Sequence, residues 1–409
     1  MKIEIITIGD EILIGQITDT NSSWMAEQLS SIGTEIVAIT SVADQAQSIT
    51  HAIDIAFSRA DVLLLTGGIG PTKDDITKNT LCKYYNTHLI HDSSVLDNIE
   101  KLFTHRNIPI NHLTQNQAMV PESAKVIQNK TGTAPILWFQ KDNKILVSMP
   151  GVPFEMKSAM THDILPALSS INGADNFQSN TLLVSGIPES ELAIILEEFE
   201  NSLPSGTSLA YLPSYGLIRL RLSIRNSKNG DNLHLLTQNL KQLVTPYLID
   251  DIDRPIEELL NIMLKSKNLT LSIAESCTGG NIAHRITQVP GASATFKGGI
   301  VTYSNEAKEN LLHVNSHDIE IHGAVSQQVV EQMALGCANA LRTNCSIAVS
   351  GIAGPTGGSI DKPVGTTWIC TIYNNVKISR KYNFGTTRRE NITRATNAAI
   401  LQMIKMLAN

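Results

Sequence analysis

The chain has 409 residues, 42% of them hydrophobic and 17% charged, with a formal net charge of -6. That length exceeds one ordinary core, so two or three domains are expected, and the composition excludes a disordered chain. The acidic balance argues against a dedicated nucleic-acid binder. The five cysteines, Cys82, Cys277, Cys337, Cys345 and Cys370, include no CxxC pair and read as reduced thiols, not as a disulfide frame or a zinc site. No apolar segment approaches the length of a membrane span. Glu4, Asp10 and Glu11 interrupt the apolar run between Ile3 and Ile14, which argues against a signal peptide and leads to the expectation of a cytoplasmic protein.

Residues 1–170 alternate between strand-like and helix-like segments. Residues 3–8 read as a strand ending at Gly9, 21–30 as a helix, 35–39 as a strand, 48–59 as a helix and 61–66 (DVLLLT) as a nearly continuous apolar strand. This order predicts a doubly wound α/β domain that binds ligands outside the carboxyl ends of its strands. The loops at that edge are rich in glycine and carboxylate: Gly9-Asp10-Glu11, Asp44, and residues 66–77 (TGGIGPTKDDIT). Glycine-rich backbone after a strand can wrap a phosphate, and carboxylates there suit a divalent cation on a pyrophosphate. Asp44, Asp74 and Asp75 are the metal candidates; a helix-capping role for Asp74 or Asp75 is the competing reading.

Residues 124–148 add short strands, and residues 149–156 (MPGVPFEM) turn into a helix. The polar stretch 169–176 is the expected linker. A smaller α+β unit is expected over 178–250, with strands near 209–212 and 217–224 joined as a hairpin across Ser214-Tyr215-Gly216. Arg219, Arg221 and Arg225 share one strand face, read as a solvated face salt-bridged to Glu197, Glu198 or Glu200. The last boundary falls at 250–255, opening a third domain over 253–409.

In that domain residues 269–280 (LTLSIAESCTGG) read as a strand, a sharp turn and the start of a helix. Ser276, Cys277 and Thr278 sit in the turn, where unpaired N–H groups can hold an oxyanion and a serine can serve as nucleophile if a base lies nearby. Capping of the helix by Ser276 or Thr278 is the plainer alternative. Farther on, a strand at 298–303, a helix at 305–312, a helix at 325–341 and a strand at 346–350 lead into the glycine-rich loop 351–358. Strands at 366–370 and 376–379 and a final helix from about 388 complete the chain.

These motifs resemble one family along nearly the whole chain, the CinA (competence/damage-inducible) proteins. The resemblance is carried by GDEIL at 9–13 with Asp19-Thr20-Asn21, TGGIGPTKDDIT at 66–77, MPGVPFE at 149–155, AESCTGG at 274–280, VTYSNEAK at 301–308, HGAVS at 322–326 and SGIAGPTGG at 350–358. It implies a molybdopterin-binding-like N-terminal domain with ADP-ribose pyrophosphatase activity. It also implies a KH-type middle domain and a C-terminal α/β domain that deamidates nicotinamide mononucleotide. The middle segment lacks the GXXG loop of an RNA-binding KH domain, so its expected role is structural, in a homodimer. Carried over residue by residue, the resemblance makes Ser276 the nucleophile, Lys308 its basic partner and Tyr303 a pocket residue. Substrate contacts fall to Glu275, Thr278, Gly279, Ser350, Gly351, Gly354 and Arg388 in the C-terminal domain, and to Asn21, Gly67, Gly68 and Gly70 in the N-terminal one. A divalent ion, magnesium or cobalt with or without potassium, is implied for the N-terminal domain and no cofactor for the deamidase. Ser350 stands where threonine is common. Residues 385–388 (GTTR) replace the usual Gly-Asp-Arg, which leaves the phosphate-binding arginine open between Arg388 and Arg389.

The residues agree with that chemistry. Amide hydrolysis is eased by a serine ester intermediate, and no Ser–His–Asp set is evident, since His284 lies in the following helix. A lysine with a lowered pKa can act as base instead. Simple burial of Lys308, or pairing with Glu306, is the alternative. Two other functions compete with this one: molybdopterin handling by the N-terminal domain, and a nucleic-acid or recombination partner, which the acidic charge and missing GXXG oppose.

Overall fold

The computed structural model describes residues 1–72, 75–106, 109–172, 177–225, 231–374 and 376–408. Within it the chain forms two compact units, one of Met1–Ser179 with Ile224–Gly230 and one of Asn180–Ser223 with Asp231–Asn409. The fold is α/β, as expected. None of the described helices is long and apolar enough to cross a membrane.

The first unit is built on a sheet whose strands run, in spatial order, Glu35–Val42, Lys2–Ile8, Val62–Thr66, Lys144–Met149, Ile136–Lys141 and Lys125–Ile127. The first four are parallel and the last two reverse direction. The apolar run at 62–65 has a physical reason. Leu63 and Leu65 enter the core on one face with Ile6, Ile8 and Ile53, while Val62 and Leu64 enter the core on the other with Ile3, Ile5 and Met25. A strand covered on both faces cannot alternate apolar with polar. Glu4, fully buried, is held by Arg59 at 2.7 Å. Because the four strands are parallel, the loops after Ile8, Val42, Thr66 and Met149 share one edge.

Two expectations change. Part of the expected linker is helical, Leu165–Asn172, because Ile164 and Leu168, four apart, are fully buried and carry the helix through the polar residues. Residues 173–176 lie outside the described ones. On the arginine face of the middle segment, Arg219 is paired differently, and the Arg225 side chain lies outside the described ones. Arg219 binds Asp253 at 2.9 Å, and Glu200 instead accepts a hydrogen bond from Tyr211.

A four-stranded sheet (Thr207–Ser214, Leu217–Arg225, Phe177–Val184, Leu248–Asp250 in order), most of whose residues fall in the second unit, carries the helices Glu189–Asn201 and Asp231–Val244. The expected hairpin at Tyr215 is present. The boundary residues at 248–250 join this sheet, antiparallel to Phe177–Val184. The other sheet orders Phe296–Val301, Leu271–Glu275, Cys345–Gly351, Thr366–Tyr373 and Val376–Asn383. Its first three strands are parallel and its last two antiparallel. The helix Arg388–Ala408 buries Ala395, Ala399, Ile400, Met403 and Ile404 against Ile273, Ile347 and Ile369, in a core that also includes Leu217 of the hairpin. The segment expected as a separate middle domain therefore packs with the C-terminal residues.

Candidate functional site

The parallel strands Leu271–Glu275, Phe296–Val301 and Cys345–Gly351 end at one edge, so the turns that follow them meet there. The first turn carries Ser276, 8% exposed, and needs Gly279 and Gly280 because the backbone there runs at φ +60° and +98°. The second leads through Thr302 into the helix Asn305–Leu312, whose N-cap Ser304 accepts from the Ala307 N–H at 3.1 Å. Lys308 sits in the first turn of that helix and is 1% exposed.

Lys308 Nζ lies 3.2 Å from Ser276 Oγ, 2.8 Å from the Thr302 carbonyl and 3.4 Å from the Ser304 carbonyl. Among the described residues no carboxylate stands within ion-pair distance of it, so the pairing with Glu306 is absent. Burial lowers the Lys308 pKa below the ordinary 10.5. A charged Cys277 would oppose that, but burial pushes the Cys277 thiol up to about 12 and keeps it neutral. The Thr278 and Thr302 hydroxyls are buried beside this pair without hydrogen-bond partners, as polar groups that await a ligand or water would be.

Neither Ser276 nor Thr278 caps the helix Asn281–Thr287 through its side chain; Glu275 satisfies its N-terminus instead. Its carboxylate accepts from the N–H groups of Gly280 (3.0 Å), Ile282 (3.1 Å) and Ala283 (2.9 Å). At 0% exposure Glu275 has no surface left for a substrate, so it positions the turn. Gly279 N–H donates to the Ser276 carbonyl. The oxyanion donors read from residues 277–280 therefore narrow to Cys277 and Thr278.

Arg388 opens the last helix. Its guanidinium donates to the Gly354 carbonyl at 2.9 Å and to the Tyr303 hydroxyl at 2.7 Å, and Tyr303 is 61% exposed. Ser350 is buried and donates to the Ala324 carbonyl at 2.7 Å. Gly351 has to be glycine, since a Cβ there would lie 2.6 Å from Thr367 Oγ1 and 3.0 Å from Cys277 Sγ. Asn391, which carries no motif, ties the two loops together: it donates to the Ala353 and Gly385 carbonyls and accepts from the Gly385 N–H. His284 lies on the exposed side of its helix, against Gln288.

At the N-terminal unit's parallel edge, Asn21 donates to Thr66 Oγ1 (3.1 Å) and the Gly151 carbonyl (2.8 Å). Its Oδ1 and the Thr77 hydroxyl are buried without partners. Gly67 passes so close to the first strand that a Cβ would lie 2.1 Å from the Ile8 carbonyl. Gly68 packs against Thr77 and Asp44, and Gly70 against Asp75. Asp75 accepts from the N–H and hydroxyl of Thr72 and does not cap the helix Thr77–Tyr84. Asp44 accepts from the Asp10 N–H at 3.2 Å. Burial first, then the charges of Asp10, Glu11 and Asp75, raise the Asp44 pKa, and its bond from the Asp10 N–H only partly offsets them. Asp74 lies outside the described residues.

No group of three or more His, Cys, Asp or Glu side chains among the described residues forms a ready metal cage. Asp44 and Asp75 are hard oxygen donors in a field of like charge. That set fits a divalent ion when substrate phosphates complete its shell, the usual arrangement for magnesium. Sequence reading missed Lys78, one residue past Thr77. It is buried, donates to Gln117 Oε1 (3.1 Å) and the Met119 carbonyl (3.0 Å), and is lowered by burial to about 8. With Gly70, Asp75 and Gln117 it lines a cavity of about 350 Å³. Its only signal was its place in the helix that follows the glycine loop.

Residues 253–407 match the family described as CinA C-terminal domain, and residues 4–170 the one described as probable molybdopterin binding domain. A CinA-like protein of Flavobacterium psychrophilum is 41% identical over 99% of this chain and 98% of its own. A putative competence-damage inducible protein of Caldicellulosiruptor saccharolyticus is 38% identical over the full length of both. A crystal structure of competence/damage inducible protein CihA from Agrobacterium tumefaciens matches 38% of this chain and 98% of its own at 37% identity, with a TM-score of 0.36.

Proposed function

The chain belongs to the CinA family, and from that premise we propose that it is a two-headed hydrolase of pyridine-nucleotide salvage. The C-terminal head deamidates nicotinamide mononucleotide to nicotinate mononucleotide and ammonia. The N-terminal head cleaves ADP-ribose to AMP and ribose 5-phosphate.

The observation that carries the first activity is the buried 3.2 Å approach of Lys308 Nζ to Ser276 Oγ. A neutral amine has two N–H bonds and one lone pair. The Thr302 and Ser304 carbonyls accept the two N–H bonds, and the lone pair faces the serine hydroxyl. Ser276 gives its proton to Lys308 as Oγ attacks the carboxamide carbon. The Cys277 and Thr278 N–H groups hold the oxyanion. Lys308 then returns the proton to the leaving nitrogen, ammonia departs, and a nicotinate ester remains on Ser276. Lys308 next takes a proton from water, whose oxygen attacks the ester, and hands it back to Ser276. Arg388 and the 351–358 loop receive the 5′-phosphate, and Tyr303 covers the pocket.

In the N-terminal head the 67–70 loop and Lys78 hold the pyrophosphate, and the unpartnered Asn21 and Thr77 oxygens accept hydroxyls of the substrate. A divalent ion held by Asp44 and Asp75, with Asp74 as the third candidate, would neutralise the pyrophosphate charge. The molybdopterin-binding match at 4–170 supports a second reading, in which this edge binds a pterin phosphate. Assembly as a homodimer completes the proposal. The first test is incubation with nicotinamide mononucleotide: ammonia and nicotinate mononucleotide are expected in equal amounts, and no ammonia would refute the deamidase.

A further inference from the structure

A cavity of about 490 Å³ opens between the hairpin turn at Tyr215, the edge strand Val376–Asn383 and the helix Arg388–Ala408. It shares no residue with the Ser276–Lys308 set. Its walls combine two chemistries. Tyr382 and Phe384 stack with ring centroids 5.3 Å apart and planes within 13°, and Tyr215 lies under the Arg394 guanidinium at 4.7 Å. Arg380, Arg394 and Lys405 supply three positive charges.

The local sequence explains why these groups converge. Arg380, Tyr382 and Phe384 recur every second residue and so face one side of the edge strand. Arg394, Leu401 and Lys405 fall at helical spacing on one stripe of the final helix. The turn is held in place by Asn397, which donates to the Tyr215 carbonyl at 2.7 Å.

The charges are not balanced from within. Among the described residues, neither Arg380 nor Lys405 has a carboxylate at ion-pair distance, and Arg394 reaches Glu390 only at 3.9 Å. Arg394 Nε is buried without a partner. Lys405 donates to the Ser185 carbonyl at 3.3 Å. Burial and then the charge of Arg380 lower its pKa, as expected of a cation crowded by another. Gly186 leaves room for it, since a Cβ there would stand 3.0 Å from Nζ. Two cations without a carboxylate partner and a third only loosely paired, gathered around an aromatic wall, form a positive field that a bound anion would offset.

We propose that this cavity is a second nucleotide site, which takes a nucleoside monophosphate by stacking its base against the Tyr382–Phe384 pair and placing its phosphate among Arg380, Arg394 and Lys405. Aromatic rings supply a sequence-tolerant face for a base, and arginine forks suit phosphate. The volume lies within the ~300–1,000 Å³ of small-ligand pockets. A half-open cavity of that size has room for a mononucleotide.

Photolabelling of the full chain with 8-azido-AMP, followed by peptide mapping, tests the proposal. Label is expected on the 214–216 turn or the 380–384 segment, displaced by unlabelled AMP. The Arg380→Gln/Lys405→Met double variant should lower that label at least about tenfold, the worth of one charge-assisted hydrogen bond, while label elsewhere is unchanged. If the double variant fails to fold, the exposed Arg380→Gln change alone gives the same reading. Label found only outside the cavity, or left intact by these variants, overturns the proposal. So does displacement by a single-stranded oligoribonucleotide at lower concentration than AMP.

Discussion

Lys308 Nζ stands 3.2 Å from Ser276 Oγ, although 32 residues separate them in the chain. Two parallel strands side by side bring their following turns together, and burial disfavours the charged form of the amine. A pH dependence follows for the proposed deamidase. Attack needs the unprotonated amine, so activity rises with pH through the folded-state pKa of Lys308 and is lost below it. Because burial lowers that pKa, the limb in kcat/KM has its midpoint below 10.5. The same shift means that the unfolded chain binds this proton more tightly, so the contribution to stability falls as pH drops through that interval. Lys308→Arg should be inactive at every pH, since guanidinium stays protonated. A rate independent of pH across this range would remove Lys308 as the base.

Arg388 bonds to Gly354 in the loop proposed for the phosphate and to Tyr303. Arg388→Ala should raise KM for nicotinamide mononucleotide by about 10–100-fold, the loss of a charged hydrogen bond, while Arg389→Ala changes it little. Turnover of nicotinamide riboside, which lacks the phosphate, should be nearly equal in the two variants. Equal KM values for the nucleotide in both would contradict the phosphate role.

The two heads occupy separate cores. Asp75→Ala should abolish ADP-ribose cleavage, followed as AMP release, and leave deamidation unchanged. EDTA should do the same. Cleavage that survives chelation would eliminate the divalent ion.

Cutting the chain at 253 exposes the core that Leu217 enters and breaks the bonds of Asn397 to Tyr215 and Lys405 to Ser185. Burial of a leucine contributes about 1.5–3 kcal/mol, so a 253–409 fragment should melt roughly 5 °C or more below a 180–409 fragment. Both should deamidate, because Ser276, Tyr303, Lys308 and Arg388 all lie within 253–409. Equal melting temperatures would show that the middle segment only rests against this domain.

Much of both sites could be read from the sequence because their signals are local. Glycines and hydroxyl residues directly after apolar strands mark the carboxyl edge of a sheet, and this brought out Ser276, Gly67 and Asp75. Other features depend on partners far away in the chain. Glu275 beside a nucleophile looks like a substrate contact until the helix N–H groups it accepts from are known. Asn391 and Lys78 carry no motif, and only the folded loops show what they hold. Arg219 found Asp253 instead of the nearby glutamates because the boundary residues join the same sheet through Phe177–Val184, the strand next to Leu217–Arg225. The polar stretch at 169–172 stayed helical since two buried apolar neighbours outweighed weak local preference.

The most direct test is ammonia release from nicotinamide mononucleotide by Ser276→Ala, measured beside nucleotide binding. The hydroxyl acts in the chemical step, so kcat should fall more than about a thousandfold with the dissociation constant little changed. Substantial deamidation by this variant would contradict the serine ester and point to direct attack by water.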